Sequence, residues 1–464
     1  MASSIATAEP GTAAIPVRLV SETSWPGIAA ELDPLARSFA SASGFQPKAG
    51  QHCLLPAPDG SIGIVLFGID EQSKAGSDPL LFGKLPSLLP EGVYRFADTP
   101  ANPTLAALAW ALGAYKFGRY GKKPKSAARL LAPSDVDTAE VTRIAEAVRM
   151  GRDLVNTPAN DLGPDGIEAA ARALAEKHGT AIDVIAGQDL LDQNFPMIHA
   201  VGRAATEAPR LIDLRWGDAN APKVTLVGKG VAFDTGGRDI KPSASMLLMK
   251  KDMGGAAAAL ACADMIMGAG LRVRLRVLIP AVENAISASS FRPGDVLQSR
   301  KGLTVEIGNT DAEGRLILAD ALALADEESP DLLVDFATLT GAARVALGPD
   351  LPPAYTDDEE LASALARLGP AVADPVWRMP LWPPYQPMLE SKIADLNNAP
   401  SGGFAGSITA ALFLRRFVTA ARAHLHLDIY AWNPTTKPGR PEGGEVQGAR
   451  LIYALLKERY GAGA

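Results

Sequence analysis

The octapeptide Asn309-Thr310-Asp311-Ala312-Glu313-Gly314-Arg315-Leu316 places two carboxylates and a guanidinium at alternate positions. In an extended segment alternate side chains share one face, so Asp311, Glu313 and Arg315 are expected to point into one pocket. Acids that close repel unless positive charge lies between them, and either Arg315 or a metal ion would supply it. A helix pattern follows at residues 316–322. The acids therefore fall where a strand turns into a helix, a common place for chemistry in α/β proteins. The simpler alternative is a capped helix start, with Glu313 favoured by the helix dipole.

A second cluster decides between these. A strand pattern at residues 224–227 runs into Gly228-Lys229-Gly230-Val231-Ala232-Phe233-Asp234-Thr235-Gly236-Gly237. Its glycines and lysine match neither G-x-x-x-x-G-K-[ST] nor G-x-G-x-x-G, which argues against a phosphate-binding loop. Lys241 follows, then Asp252 at the head of an Ala-rich helix. Asp234, Asp252, Asp311, Glu313, Lys229, Lys241 and Arg315 thus gather at the ends of neighbouring strands. Four acids can hold two divalent cations, and the bare acid set would also suit a two-metal phosphoesterase. A lysine among them either stays charged and stabilises an oxyanion, or loses its proton beside cations and ligates one.

The elements that must position these groups form an α/β protein: a smaller N-terminal α/β domain, then a larger catalytic domain with a central, mostly parallel sheet. Residues 1–15 read as a flexible tail, 16–133 as an accessory domain, 134–155 as a linking helix and 156–464 as the catalytic domain. In the first domain, strands are expected at 17–20 and 62–67 and a helix at 104–117. The linking helix has Asp135 or Asp137 available as N-cap. Beyond it, helices are expected at 165–178 (Asp165 as N-cap), 253–267, 404–420 and 446–458. Strands are expected at 181–185, 210–216, 224–227, 271–279, 331–337 and 425–429. The Pro/Gly-rich segment 433–444 reads as a loop long enough to border a site or an interface.

The 464 residues are 47% hydrophobic and 21% charged, an ordinary soluble composition. No apolar run is long enough to cross a bilayer, and no signal peptide is evident. The net charge of −7 argues against a general nucleic-acid or anionic-membrane binder. The basic turn Gly121-Lys122-Lys123-Pro124-Lys125 reads as a solvated loop. Two distant cysteines, Cys53 and Cys262, allow no disulfide framework or thiolate metal site, and fit a reducing cytoplasm. The five histidines form no H-x-x-x-H pair, so any metal ligands must be mostly oxygens.

With both clusters in view, the sequence resembles the leucyl aminopeptidase (cytosol aminopeptidase) family of dinuclear metallopeptidases. The resemblance is carried by the octapeptide, by residues 227–230, 233–237, 240–242 and 251–257, and by flanking segments at 153–158, 337–342 and 394–398; it covers about residue 152 to the C-terminus. It implies removal of N-terminal residues, preferring Leu or other apolar ones, from peptides with a free N-terminus. It implies two divalent ions per subunit, Mn2+ or Zn2+, activating a bridging water. By position, Lys229, Asp234, Asp252 and Glu313 would hold one ion, and Asp234, Asp311 and Glu313 the other, Asp311 also through its carbonyl. Lys229 would ligate as a neutral amine, Lys241 would polarise the scissile carbonyl, and Arg315 would hold a bicarbonate ion that relays the proton. Met249, Thr338 and Gly341 match the first-residue pocket; Met249 alone would suit core packing equally. A cytoplasmic homohexamer is implied too. Because some relatives bind DNA, the alternative is a hexameric DNA-binding or regulatory protein with secondary peptidase activity. Arg238 departs from the family pattern, which carries an uncharged residue there; it is expected to face solvent or to pair with Asp239.

Overall fold

The structure, a computed structural model, describes residues 4–6, 13–71, 76–121, 128–400 and 402–461. The chain divides into two compact units, residues 1–149 with 435–442, and residues 150–434 with 443–464. Lys122, Lys123 and Lys125 of the basic turn lie outside the described residues.

The first unit is built on a six-stranded sheet. Ile15–Val20 lies between Gly92–Phe96 and Ile62–Gly68, both parallel to it. The expected loose tail contains a strand: Ile5–Ala6 pairs with Leu130–Leu131. The predicted helix at 104–117 spans Pro103–Gly113. Its start is fixed by Asn102, whose side chain accepts from Leu105 N, and by Pro103 at the first turn. Residues 435–442, from the loop expected to border a site or an interface, belong to this unit, where Arg440 pairs with Asp78.

The helix expected at 134–155 is observed at Thr138–Asn156, with Asp137 accepting from Glu140 N. The second unit holds a nine-stranded sheet in which five of eight pairings are parallel. Lys223–Gly228, Leu332–Ala337 and His424–Asp428 form its parallel centre. These strands are buried almost throughout, as a parallel sheet covered on both faces requires, with Asp335, His424, His426 and Asp428 among the buried polar exceptions to the apolar lining. The strand expected at 271–279 runs longer, Arg274–Asn284, and pairs with both Lys223–Gly228 and Gly230–Asp234. Asp165 is not an N-cap: the helix Pro164–His178 has Gly163 there, and Asp165 in its first turn pairs with Arg210. The helix expected at 404–420 is shorter, Gly406–Arg415.

The Ala-rich helix Gly254–Gly268 is buried on every side apart from its last residue. Small residues let its backbone lie close on the sheet. A Cβ on Gly255 would stand 2.1 Å from the Phe336 carbonyl oxygen, and one on Gly228 would stand 2.6 Å from the Gly255 carbonyl oxygen. That close approach sets Asp252, just ahead of the helix, against Lys229.

Candidate metal centre

Lys229 occupies the break between Lys223–Gly228 and Gly230–Asp234. Its N–H donates to Phe336 O and its carbonyl accepts from Ala256 N, so the backbone is pinned where it leaves the sheet. Asp234 ends the second of these strands. The chain then turns through Gly236 and Gly237, both at positive φ, and returns Lys241, whose N–H donates to Thr235 O. Glycine suits that turn on two counts: the left-handed backbone, and the 2.9 Å that would separate a Gly237 Cβ from Thr310 Oγ1. Asp252 lies in the tight turn Met249–Met253.

The octapeptide is not an extended segment. Asp311 lies in a turn, with its N–H on Asn309 Oδ1, and Glu313 is the first residue of the helix Glu313–Asp326. The helix-start alternative holds in part: Glu313 lies in the first turn, but the N-cap is Ala312, which gives no side-chain cap. Asn398 braces the turn: its Oδ1 accepts from Gly308 N and Asn309 N, and its Nδ2 donates to Asn309 O.

These elements bring six of the seven predicted charged groups together. Lys229 Nζ lies 2.8 Å from Asp252 Oδ2 and 2.9 Å from Glu313 Oε1, and donates to Thr338 O. Lys241 Nζ lies 2.7 Å from Asp234 Oδ2 and pairs with Asp311. Ligand atoms of Asp234, Asp252 and Glu313 all fall within 4.8 Å of one another, close enough to share one cation. Glu313 Oε2 is buried with no hydrogen-bond donor. Such an oxygen calls for a missing partner, and a hard cation fits a cluster of carboxylate oxygens.

The electrostatics follow. Burial works against the charge of Lys229, but Asp252, Glu313 and Asp234 outweigh it and hold the ammonium above the usual lysine range. Lys241 is held up in the same way by Asp234, Glu313 and Asp311. Asp234 is desolvated too, yet Lys241 and Lys229 keep its carboxyl below the usual range. Burial and then repulsion from Asp234 push Glu313 up to about 8, which the pull of Lys229 does not overcome. The same two causes raise Asp311 to about 6.

A cavity of about 420 Å³ opens on this cluster. Lys229, Asp234, Lys241, Asp252 and Asp311 line it, as do Met249, Thr338 and Gly341. Arg315 does not. It is buried in the helix, with Nη1 donating to Asn398 O and Nε left without an acceptor. Arg238 is exposed and donates to Ser287 O; Asp239, its expected partner, is instead engaged by Thr310.

Three residues have supporting roles that no local sequence pattern gives. Asn284 Nδ2 donates to Asp234 Oδ1 from fifty positions away. Thr310 Oγ1 donates to Gly236 O and ties the two clusters together. Thr338, read from sequence only as pocket lining, donates its hydroxyl to Asp252 Oδ1.

Comparison with known proteins matches the profile of the cytosol aminopeptidase family, catalytic domain, to residues 149–453, and that of the M17 aminopeptidase N-terminal domain to residues 15–133. The chain belongs to the cytosol aminopeptidase family. It is a peptidase hydrolase with the two-domain α/β fold of that metal-dependent family. A probable cytosol aminopeptidase of Roseiflexus castenholzii is 41% identical over 364 residues, covering 75% of this chain and 74% of that protein. The crystal structure of the cytosol aminopeptidase from Coxiella burnetii superposes with a TM-score of 0.94 at 45% identity, covering 99% of this chain and all of the other. The bottromycin maturation enzyme BotP in complex with Mn gives 0.86 at 32% identity, covering 96% and 100%. Among the described residues, no helix is long and apolar enough to cross a membrane.

Proposed function

We propose that this family member is a dinuclear metal aminopeptidase that removes N-terminal residues, Leu and other apolar ones included, from peptides. The observation that carries the reading is the convergence of Asp234, Asp252 and Glu313 within 4.8 Å, beside a carboxylate oxygen that no protein donor fills. Lys229, Asp234, Asp252 and Glu313 hold one ion; Asp234, Asp311 and Glu313 hold the other. Bound Mn2+ or Zn2+ supplies Lewis acidity to a carbonyl oxygen and a water.

The chain's own groups supply the rest. Lys241 keeps its proton, because Asp234 and Asp311 surround it, and faces the cavity where an oxyanion would develop. No histidine lines the cavity among the described residues, which leaves proton transfer to something other than an imidazole. Arg315 has one buried donor to spare, which suits a small anion such as bicarbonate. Met249, Thr338 and Gly341 receive the first side chain; an apolar pocket of this kind discriminates only modestly among similar apolar residues. A homohexamer in the cytoplasm belongs to the same reading and rests on the family resemblance.

The test pairs metal analysis of the purified protein with hydrolysis of a Leu anilide before chelation, after it, and after Mn2+ or Zn2+ is restored. Activity should vanish and return. Robust activity in Asp311→Ala/Glu313→Ala would overturn the reading.

A further inference from the structure

The cavity at the metal centre also carries cations that the reading above leaves unused. Lys251, Arg344 and Tyr430 line it together with Met249 and Gly341. Arg344 follows Gly341 by three positions in the helix Gly341–Leu347, so the two share a face. Its guanidinium lies 5.7 Å from the centre of the Tyr430 ring, and the Lys251 ammonium lies 4.7 Å from the same ring. Lys251 is buried, with its ammonium on an aromatic face rather than on a carboxylate.

Negative charge on this wall is scarce and already engaged. Asp428 pairs with Arg344 Nη2 at 3.1 Å, but it also accepts from Leu339 N, Thr340 N, the Thr340 hydroxyl and the Ser407 hydroxyl. Arg344 Nε and Nη1 are left without acceptors. Arg344 therefore pairs with an acid whose lone pairs are largely taken, and among the described residues Lys251 has no carboxylate in a salt bridge with it. A buried guanidinium with idle donors is costly unless something completes it, and a planar carboxylate matches its fork.

We propose that this wall binds a side-chain carboxylate of the substrate's first residue, so that peptides beginning with Glu or Asp are substrates alongside those beginning with apolar residues. The assignment to the first residue rests on the reading above, in which Met249 and Gly341 belong to that pocket. A Glu side chain would lay its methylenes on Met249 and place its carboxylate at Arg344 and Lys251. Gln, equal in shape but uncharged, would gain much less.

The test uses the metal-loaded enzyme and 4-nitroanilides of Glu, Gln and Leu. Anilides have no peptide carboxylate, so only the first side chain carries the charge. We expect kcat/KM for Glu to exceed that for Gln by about tenfold to a hundredfold, the range of a charge-assisted hydrogen bond. Arg344→Met should bring the Glu-to-Gln ratio to near one, and Arg344→Lys should restore part of it. If Arg344→Met does not fold, Lys251→Met should lower the same ratio. Cleavage of Leu anilide with Glu no better than Gln would overturn the proposal and leave the aminopeptidase reading intact. So would an Arg344-dependent preference for Leu dipeptides over Leu amide, because the wall would then serve the peptide's terminal carboxylate. No cleavage of any anilide by metal-loaded protein would overturn both.

Discussion

Two sets of buried acids in the second unit look alike by burial and differ in what fills their lone pairs. Asp320 accepts from Met197 N, Ile198 N and Arg300 N; Asp326 from Thr419 N, Ala420 N and Ala421 N; Asp335 from His424 and His426. In each of these, both oxygens have donors fixed by the fold. At the metal centre neither oxygen of Glu313 has a hydrogen bond, and the only compensation comes from lysine ammonium groups. Burial alone therefore does not mark a ligand. An acid completed by backbone N–H groups or imidazoles fastens the fold; one left to lysines is available to a cation.

This contrast breaks first if the two sets respond alike to mutation. Asp311→Ala/Glu313→Ala should lower Leu anilide hydrolysis by on the order of a thousandfold or more, since it removes ligands of both ions. In chelated protein, its thermal midpoint should hold or rise, because mutual repulsion is relieved. Asp320→Ala should do the reverse, destabilising by about 3 kcal/mol by orphaning three backbone donors, as denaturant titration would show. A stable Asp320→Ala protein would end the distinction.

Metal addition sharpens it. Mn2+ at about a hundred times its Kd should stabilise the wild type by about 2.7 kcal/mol and the double variant hardly at all, measured by thermal melts. The affinity should also depend on pH with a definite sign. Glu313, raised to about 8, and Lys229, held charged, both bind protons that a metal ion must displace. Affinity should therefore rise with pH, by about tenfold per unit for each proton released, through the range below 8. Metal titrations at pH 6, 7 and 8 would show it, and a flat profile would contradict the ligand assignment. The smallest effect belongs to Arg238→Ala. With its contact on a surface carbonyl, that change should alter stability by less than about 0.5 kcal/mol.

The charged groups were legible because residue type and order carry them: the acids and lysines gather where the sequence places strand ends. Geometry was less so. The alternation of Asp311, Glu313 and Arg315 suggested one face of a strand, whereas a turn and a helix start bring two of them into the acid cluster and bury Arg315 in the helix, off the cavity lining. The parallel centre of the sheet followed from strands alternating with helices, but the lengths of Arg274–Asn284 and Gly406–Arg415 did not, since tertiary packing decides where a strand or helix stops. The bracing roles of Asn284, Thr310 and Asn398 were not legible because they act across long sequence separations. Arg344 was silent for another reason: on a short helix it looks like any solvated arginine until Tyr430 and Asp428 arrive from another strand end.

The bare contact between Gly255 and Phe336 has a consequence for how this enzyme can change. The spacing between Lys229 and Asp252 is gauged by missing side chains, and even a methyl group would act as a shim between helix and sheet. Substitution here should spread the ligands while leaving every one of them in place, so that a lost activity would be traced to a dimension and to no reactive group.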